Sequence, residues 1–128
     1  MRHIALMFAV VATVAQASPL EDCLASSRTY EVGCYAEEMT RQELALEARY
    51  RAALRAIKLD ETAIQEGWSK QQIQEQRKYF SLSQKRWKQF MEASCRHSSA
   101  TMNGTGGAGA YVDCKTRMIS NRLKDISE

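Results

Sequence analysis

The sequence predicts an all-α fold, and three observations carry that prediction. Apolar residues recur at steps of three, four and seven along two long stretches, strand-like alternation is absent after residue 17, and no proline interrupts the periodic segments. The architecture these features imply is a long antiparallel helical hairpin with a third, shorter C-terminal helix docked on it and two disulfides at one end.

The first long helix is expected to start at Thr29 as N-cap, with Glu31 in its first turn to complement the helix dipole. Its apolar stripe runs through Met39, Leu46, Tyr50, Ala53, Leu54, Ile57 and Ile64, and Gly67 is a natural C-terminal stop. Ser69 followed by Gln72 is a capping-box signature for the second helix. Along that helix Ile73, Phe80, Trp87 and Ser94 stand seven apart, with Gln76, Ser83 and Phe90 between them, to about His97. Two helices of similar length joined by Gly67-Trp68 make an elongated hairpin, each arm about 40–55 Å long. Ser98 to Gly109 holds four of the six glycines and reads as a flexible loop. A last helix from about Ala110 to Ile126 puts Tyr111, Cys114, Met118, Ile119 and Ile126 on one side.

Residues 1–17 read as a secretory signal peptide. Met1-Arg2-His3 is a basic start, Ile4 to Val14 is apolar apart from Thr13, and Ala15-Gln16-Ala17 forms the cleavage site. The run is too short to span a bilayer, which takes about 20 apolar residues. Residues 18–128 are then a single mature domain, periplasmic or secreted. No lipid anchor is expected, because Cys23 stands behind Pro19-Leu20-Glu21-Asp22 instead of at the cleavage point. No second apolar run is long enough to cross a membrane.

Loss of the leader removes Arg2 and no acid, which leaves 17 bases against 15 acids, a charge of +2. That near balance argues against a nucleic-acid binder, which needs a concentrated basic footprint. The charge is uneven along the hairpin. Glu31 to Glu47 holds five acids against Arg41, whereas Lys70 to His97 holds seven bases against Glu75 and Glu92. Adjacent antiparallel helices with this distribution complement each other.

Cys23, Cys34, Cys95 and Cys114 are an even set in a small exported chain, which reads as two disulfides. The antiparallel hairpin brings all four to the end opposite Gly67. Three pairings exist; Cys23–Cys34 with Cys95–Cys114 is favoured, and Cys34–Cys95 with Cys23–Cys114 competes. No metal site or cofactor is expected, since no Cys-x-x-Cys pair exists and His97 is the only histidine after residue 17.

Nothing in the sequence supplies a catalytic constellation, so the protein is expected not to be an enzyme. Cys95 and His97 stand two apart on a helix and point away from each other. Glu37/Glu38 and Glu43/Glu47 imitate a carboxylate dyad but lie along one helix as a solvated face. Phosphate-loop, His-Glu-x-x-His and Gly-x-Ser-x-Gly motifs are missing. Tyr50 and Trp87 suit sugar stacking, but helix-spaced aromatics favour the core. Gln84, one turn before Trp87, is positioned for a hydrogen bond across the hairpin.

Two early cysteines, Leu46 and Tyr50 four apart, Gln84-x-x-Trp87, Phe90, Cys95, Gly106-Gly107, Cys114 and Arg122 together resemble the LprI-type lysozyme-inhibitor family of small exported bacterial proteins. The match spans nearly all of residues 18–128. This chain has Leu46-Glu47 where the family usually has Leu-Asn, Met91-Glu92 where it has Arg-Asp, and a longer segment between Leu54 and Leu82. The resemblance implies an envelope binding protein that occludes a lysozyme or other hydrolase without chemistry of its own. The contact is expected at the stapled end, through Arg96, His97, Asn103 and Thr105. Animal-type lysozymes are strongly basic, and a charge of +2 steers toward them only through the acidic start of the first helix. The rival expectation is a structural or stress-related envelope protein that binds peptidoglycan, anionic lipid or another envelope protein through the basic second helix. A narrow apolar face also suits a homodimer that covers Trp87, Phe80 and Ile73.

Overall fold

The computed structural model describes residues 18–26, 31–57, 61–104 and 106–126; the expected leader, the expected N-cap Thr29 and the loop residue Thr105 lie outside them. The described residues form helices and turns with no strand: α1 (Pro19–Ser26), α2 (Glu31–Ala56), α3 (Glu61–Gln65), α4 (Lys70–Ala100) and α5 (Gly106–Asp125). Both disulfides are present, Cys23–Cys34 tying α1 to α2 and Cys95–Cys114 tying α4 to α5.

Pairing between α2 and α4 is antiparallel. Glu47 meets Lys88 at 2.8 Å, the Tyr50 hydroxyl donates to Ser81 at 3.2 Å, and Arg77 donates to the Leu54 carbonyl at 2.9 Å, so partners descend along α4 as α2 ascends. Toward the stapled end α5 lies against both long helices, antiparallel to α4 and running alongside α2. It is therefore the third side of the bundle, more central than a helix docked on a finished hairpin. The core reflects this: Leu46 of α2, Met91 and Cys95 of α4, and Cys114 and Ile119 of α5 are buried together. Met39, Trp87, Tyr111, Met118, Leu123 and Ile126 pack around them.

Ser69 caps α4 as its sequence predicts: its hydroxyl accepts from the Gln72 amide at 3.1 Å, and the Gln72 side chain accepts from the Ser69 amide at 2.8 Å. Gly67 turns the chain at φ 94°, a conformation glycine adopts without a Cβ clash.

Three elements differ from expectation. The first long helix does not run to Gly67; α2 ends at Ala56, and the short α3 precedes the turn. The Arg77 guanidinium reaches from α4 to the carbonyls of Leu54 and Ile57, at 2.9 and 2.5 Å, and satisfies acceptors that a helix end leaves open. Residues 19–26, expected only to lead into the first long helix, form α1. The Ser18 hydroxyl accepts from the Glu21 amide, the Glu21 carboxylate accepts from the Ser18 amide at 2.7 Å, and Pro19 occupies the first helical position. Of the loop expected over 98–109, residues 98–100 continue α4 and 106–109 open α5, which leaves a described turn at 101–104. A Cβ on Gly107 would lie 3.0 Å from the Ser99 carbonyl oxygen, so the glycine is what lets α4 and α5 close up here.

Candidate functional site

The stapled end joins the C-terminus of α4 to the N-terminus of α5. The Thr101 amide donates to the His97 carbonyl and the Met102 amide to the Ser99 carbonyl, which closes the end of α4, and Gly104 turns the chain at φ 70°. Thr101, Met102, Asn103 and Gly104 are all exposed. Two constraints fix the base of this turn: the Gly107–Ser99 approach and, one helical turn and more below it, the Cys95–Cys114 bond. Beside it runs a shallow groove of about 540 Å³ lined by Arg96, Ser99, Ala100, Ala108 and Tyr111.

Of the contact residues predicted from sequence, Arg96 borders this groove and donates to Glu92 at 2.6 Å with most of its side chain exposed. His97 and Asn103 are exposed at the same end. Arg96 and Asn103 are thus placed on one end of the bundle, with no hydrogen bond between them among the described residues.

The residues that carry the family resemblance fall mostly inside. Leu46 is in the core, and Tyr50 stacks on Phe80 with ring centroids 5.3 Å apart. Gln84 is buried, but its partner is on α5 and not across the hairpin: its carbonyl oxygen accepts from Arg122 at 3.1 Å. The same guanidinium lies 5.7 Å from the Trp87 ring centre, so Gln84, Trp87 and Arg122 form one α4–α5 contact. Phe90 departs from this pattern and stands 63% exposed on the outer face of α4. Ile73 is buried by its own chain, and Phe80 is occupied by Tyr50, so these two find cover without a second copy.

A feature the sequence reading did not single out lies just beneath the turn. Lys115 is 8% exposed and sits between carboxylates from both long helices, paired with Glu43 of α2 and 3.9 Å from Glu92 of α4. The Tyr111 hydroxyl donates to Glu92 at 2.8 Å, and the Tyr111 ring faces the Lys115 ammonium at 5.4 Å. Burial works against the charged lysine, but the Glu43 pair and Tyr111 outweigh it and hold Lys115 above the ordinary lysine value. The Tyr111 hydroxyl, helped by Arg96, holds Glu92 below the usual carboxylate range, against the opposing pull of its own partial burial. Burial and donation to Glu92 push Tyr111 upward. A signal was present: Lys115 stands four residues from both Tyr111 and Ile119, on the stripe that faces the core.

Three of the four carboxylates that imitate a dyad are engaged, and the fourth, Glu37, is exposed. Glu38 accepts from Arg41 and Gln42, Glu43 pairs with Lys115, and Glu47 accepts from Arg51 and Lys88. The Lys88 and Arg51 bonds hold Glu47 below its ordinary range. Glu47 therefore helps to join α2 to α4, and Glu92 helps to join α4 to α5. Cys95 is fully buried in its disulfide. Among the described residues no group of three or more His, Cys, Asp or Glu is arranged to hold a metal ion, and no helix is long and apolar enough to cross a membrane.

No curated protein and no solved structure matches the chain. The family described as Lysozyme inhibitor LprI matches residues 23–126, a span that begins at the first cysteine and takes in both disulfides, the Gln84–Trp87–Arg122 contact and the Lys115 network. The chain belongs to the LprI family of lysozyme inhibitors.

Proposed function

We propose that residues 18–128 are exported to the periplasm or beyond and inhibit a lysozyme or related envelope hydrolase by occluding its sugar cleft with the stapled end. The family supplies the class of partner. The observation that carries the mode of binding is the exposed turn at 101–104 on a base fixed by the Gly107–Ser99 approach and the Cys95–Cys114 bond. A turn held in one shape loses little conformational entropy on entering a cleft. Arg96, His97 and Asn103 surround it and offer donors to the carboxylates and hydroxyls of a glycosidase site, and Thr105 extends the set. The acidic first turns of α2, with Glu31, Glu37 and Glu38, lie at the same end of the antiparallel bundle and give local attraction to a basic lysozyme where the net charge gives none. The protein contributes no chemistry in this reading; it excludes substrate.

Titration of several lysozymes with the oxidised protein tests the proposal. Inhibition at micromolar protein, lost by at least about tenfold in Asn103→Ala with Arg96→Ala while the helical signal and melting temperature hold, is the expected result. Full lysozyme activity at micromolar excess of the oxidised wild type rules the reading out. Inhibition that both substitutions leave untouched moves the contact away from this end.

A further inference from the structure

The outward face of α4 carries a second interaction surface. From Gln76 to Met91 the helix holds no acid and five bases, Arg77, Lys78, Lys85, Arg86 and Lys88. The fold uses two of them: Arg77 binds the α2 carbonyls, and Lys88 pairs with Glu47. The remaining three, Lys78, Lys85 and Arg86, are exposed, and none has a carboxylate partner among the described residues. The acids of α2 that could have balanced them are taken by Arg41, Arg51, Lys88 and Lys115.

Two large aromatics share this face. Tyr79 is 60% and Phe90 63% exposed, whereas on the same helix Phe80 stacks on Tyr50 and Trp87 packs against the core. Tyr79, Arg86 and Phe90 recur at seven and four residues, within about 40° of one another around the axis. Lys78 and Lys85 flank them one position earlier, with the Lys78 ammonium 5.8 Å from the Tyr79 ring centre. The ridge is convex and about 18 Å long at 1.5 Å per residue.

We propose that this ridge docks α4 lengthwise on an anionic bilayer surface. Cations that reach phosphate headgroups beside aromatic rings that settle at the interface are the combination a lipid surface selects. A convex ridge without a flanking wall meets a plane well and encloses a single glycan strand poorly, which favours lipid over peptidoglycan. The surface lies on the outside of α4, apart from the 101–104 turn, so docking would leave the stapled end free.

Co-sedimentation of the oxidised protein with vesicles of phosphatidylcholine containing 30% phosphatidylglycerol, against phosphatidylcholine alone, tests this. Binding is expected only to the anionic vesicles and to weaken as salt rises from 50 to 500 mM. Lys78→Gln, Lys85→Gln and Arg86→Gln together should weaken it by roughly 100-fold, on the scale of the attraction of three cations to such a surface. Tyr79→Ala with Phe90→Ala should weaken it by about tenfold or more, with lysozyme inhibition unchanged in both variants. All five side chains are exposed, so melting temperatures should match wild type. Equal binding to both vesicles, no binding to either, retention by the triple variant, or capture by murein sacculi without capture by anionic vesicles overturns the proposal.

Discussion

The two ends of the bundle are held by different means. At the stapled end three helices meet, two covalent bonds cross between elements, and Cys34, Cys95, Val112, Cys114, Lys115 and Ile119 are buried. At the turn end Ile64 and Trp68 stand 45% and 48% exposed, and order rests on local devices: Gly67 with positive φ, the Ser69–Gln72 capping box, and Arg77 on the end of α2. A chain this small concentrates its long-range restraint where α5 can complete the core, and the opposite end needs only to reverse direction. The stapled end should therefore respond to substitution globally and the turn end locally.

The largest effect is expected from Cys95→Ala with Cys114→Ala. The bond closes a separation of 19 residues, worth about 3 kcal/mol in the chain-entropy account. The Cys23–Cys34 bond closes 11, and its removal should cost less, because α1 adds no residue to the buried core. Urea melts of the two double variants should rank in that order, and a reversal would show that α1 carries more of the fold than its packing suggests.

Next comes the Lys115 network. Glu43→Gln with Glu92→Gln leaves a buried ammonium without a counter-charge, at a cost of about 2 kcal/mol once the partial hydration of both acids is discounted. Lys115→Met removes the charge and keeps the volume, and should fall within about 1 kcal/mol of wild type. The pH dependence carries the same signature. Glu47 and Glu92 are held below 4.5, so their contribution is fully present above that value and is lost as pH falls through their lower folded values. Lys115 is held above 10.5, so its contribution is present below that and lost as pH rises through its folded value. Melting temperature should be flat between about pH 6 and 9 and fall at both extremes, with the alkaline fall reduced in Lys115→Met.

These contrasts also mark what was readable from sequence. The α2 stripe, the Ser69–Gln72 cap and the apolar side of α5 were legible because period and capping chemistry are local. The α4 stripe was only half right: Ile73, Phe80 and Trp87 turn inward, whereas Gln76, Ser83 and Phe90 are exposed and Gln84 and Met91 are buried. The antiparallel geometry gathered the four cysteines at one end and left two pairings in competition; the bonds found are those of the favoured one. The start of α5 was not legible: Gly106, Gly107 and Gly109 have poor helix propensity, and only contact with a distant Ser99 makes one of them useful. The α1 helix was legible and overlooked, since Ser18-Pro19 reads as the tail of a cleavage site as readily as a helix start. Arg77 and Lys115 escaped for one reason, that a long basic side chain looks like a solvated face until the fold supplies its acceptors.

At the turn end Arg77→Ala should cost about 1–2 kcal/mol, the range for charge-assisted bonds to two carbonyls that are then left open. Amide exchange distinguishes this loss from the disulfide variants. Protection should drop in the last turn of α2 and in α3 and persist around Leu46, Met91 and Ile119. Uniform loss across the chain would mean that the two ends are one cooperative unit and that the contrast drawn between them is only one of composition.

The smallest effect separates two glycines of one helix. Both Gly107 and Gly109 lie in the first turns of α5, and propensity alone would favour alanine at either by about 0.5–1 kcal/mol. At Gly109 a Cβ meets nothing within 4 Å, so Gly109→Ala should stabilise by about that amount. At Gly107 the Cβ meets the Ser99 backbone oxygen at 3.0 Å and its hydroxyl at 3.1 Å. A backbone oxygen in α4 gives way only if α4 and α5 move apart, and they are tied at Cys95–Cys114 a short way below. Gly107→Ala should therefore destabilise by about 1 kcal/mol, the low end of overpacking penalties. Opposite signs in thermal melts would establish that the close approach, and not glycine's flexibility, shapes the base of the 101–104 turn. Two stabilising substitutions would mean that the base yields, and the turn would then lose the rigidity on which its proposed role in a hydrolase cleft depends.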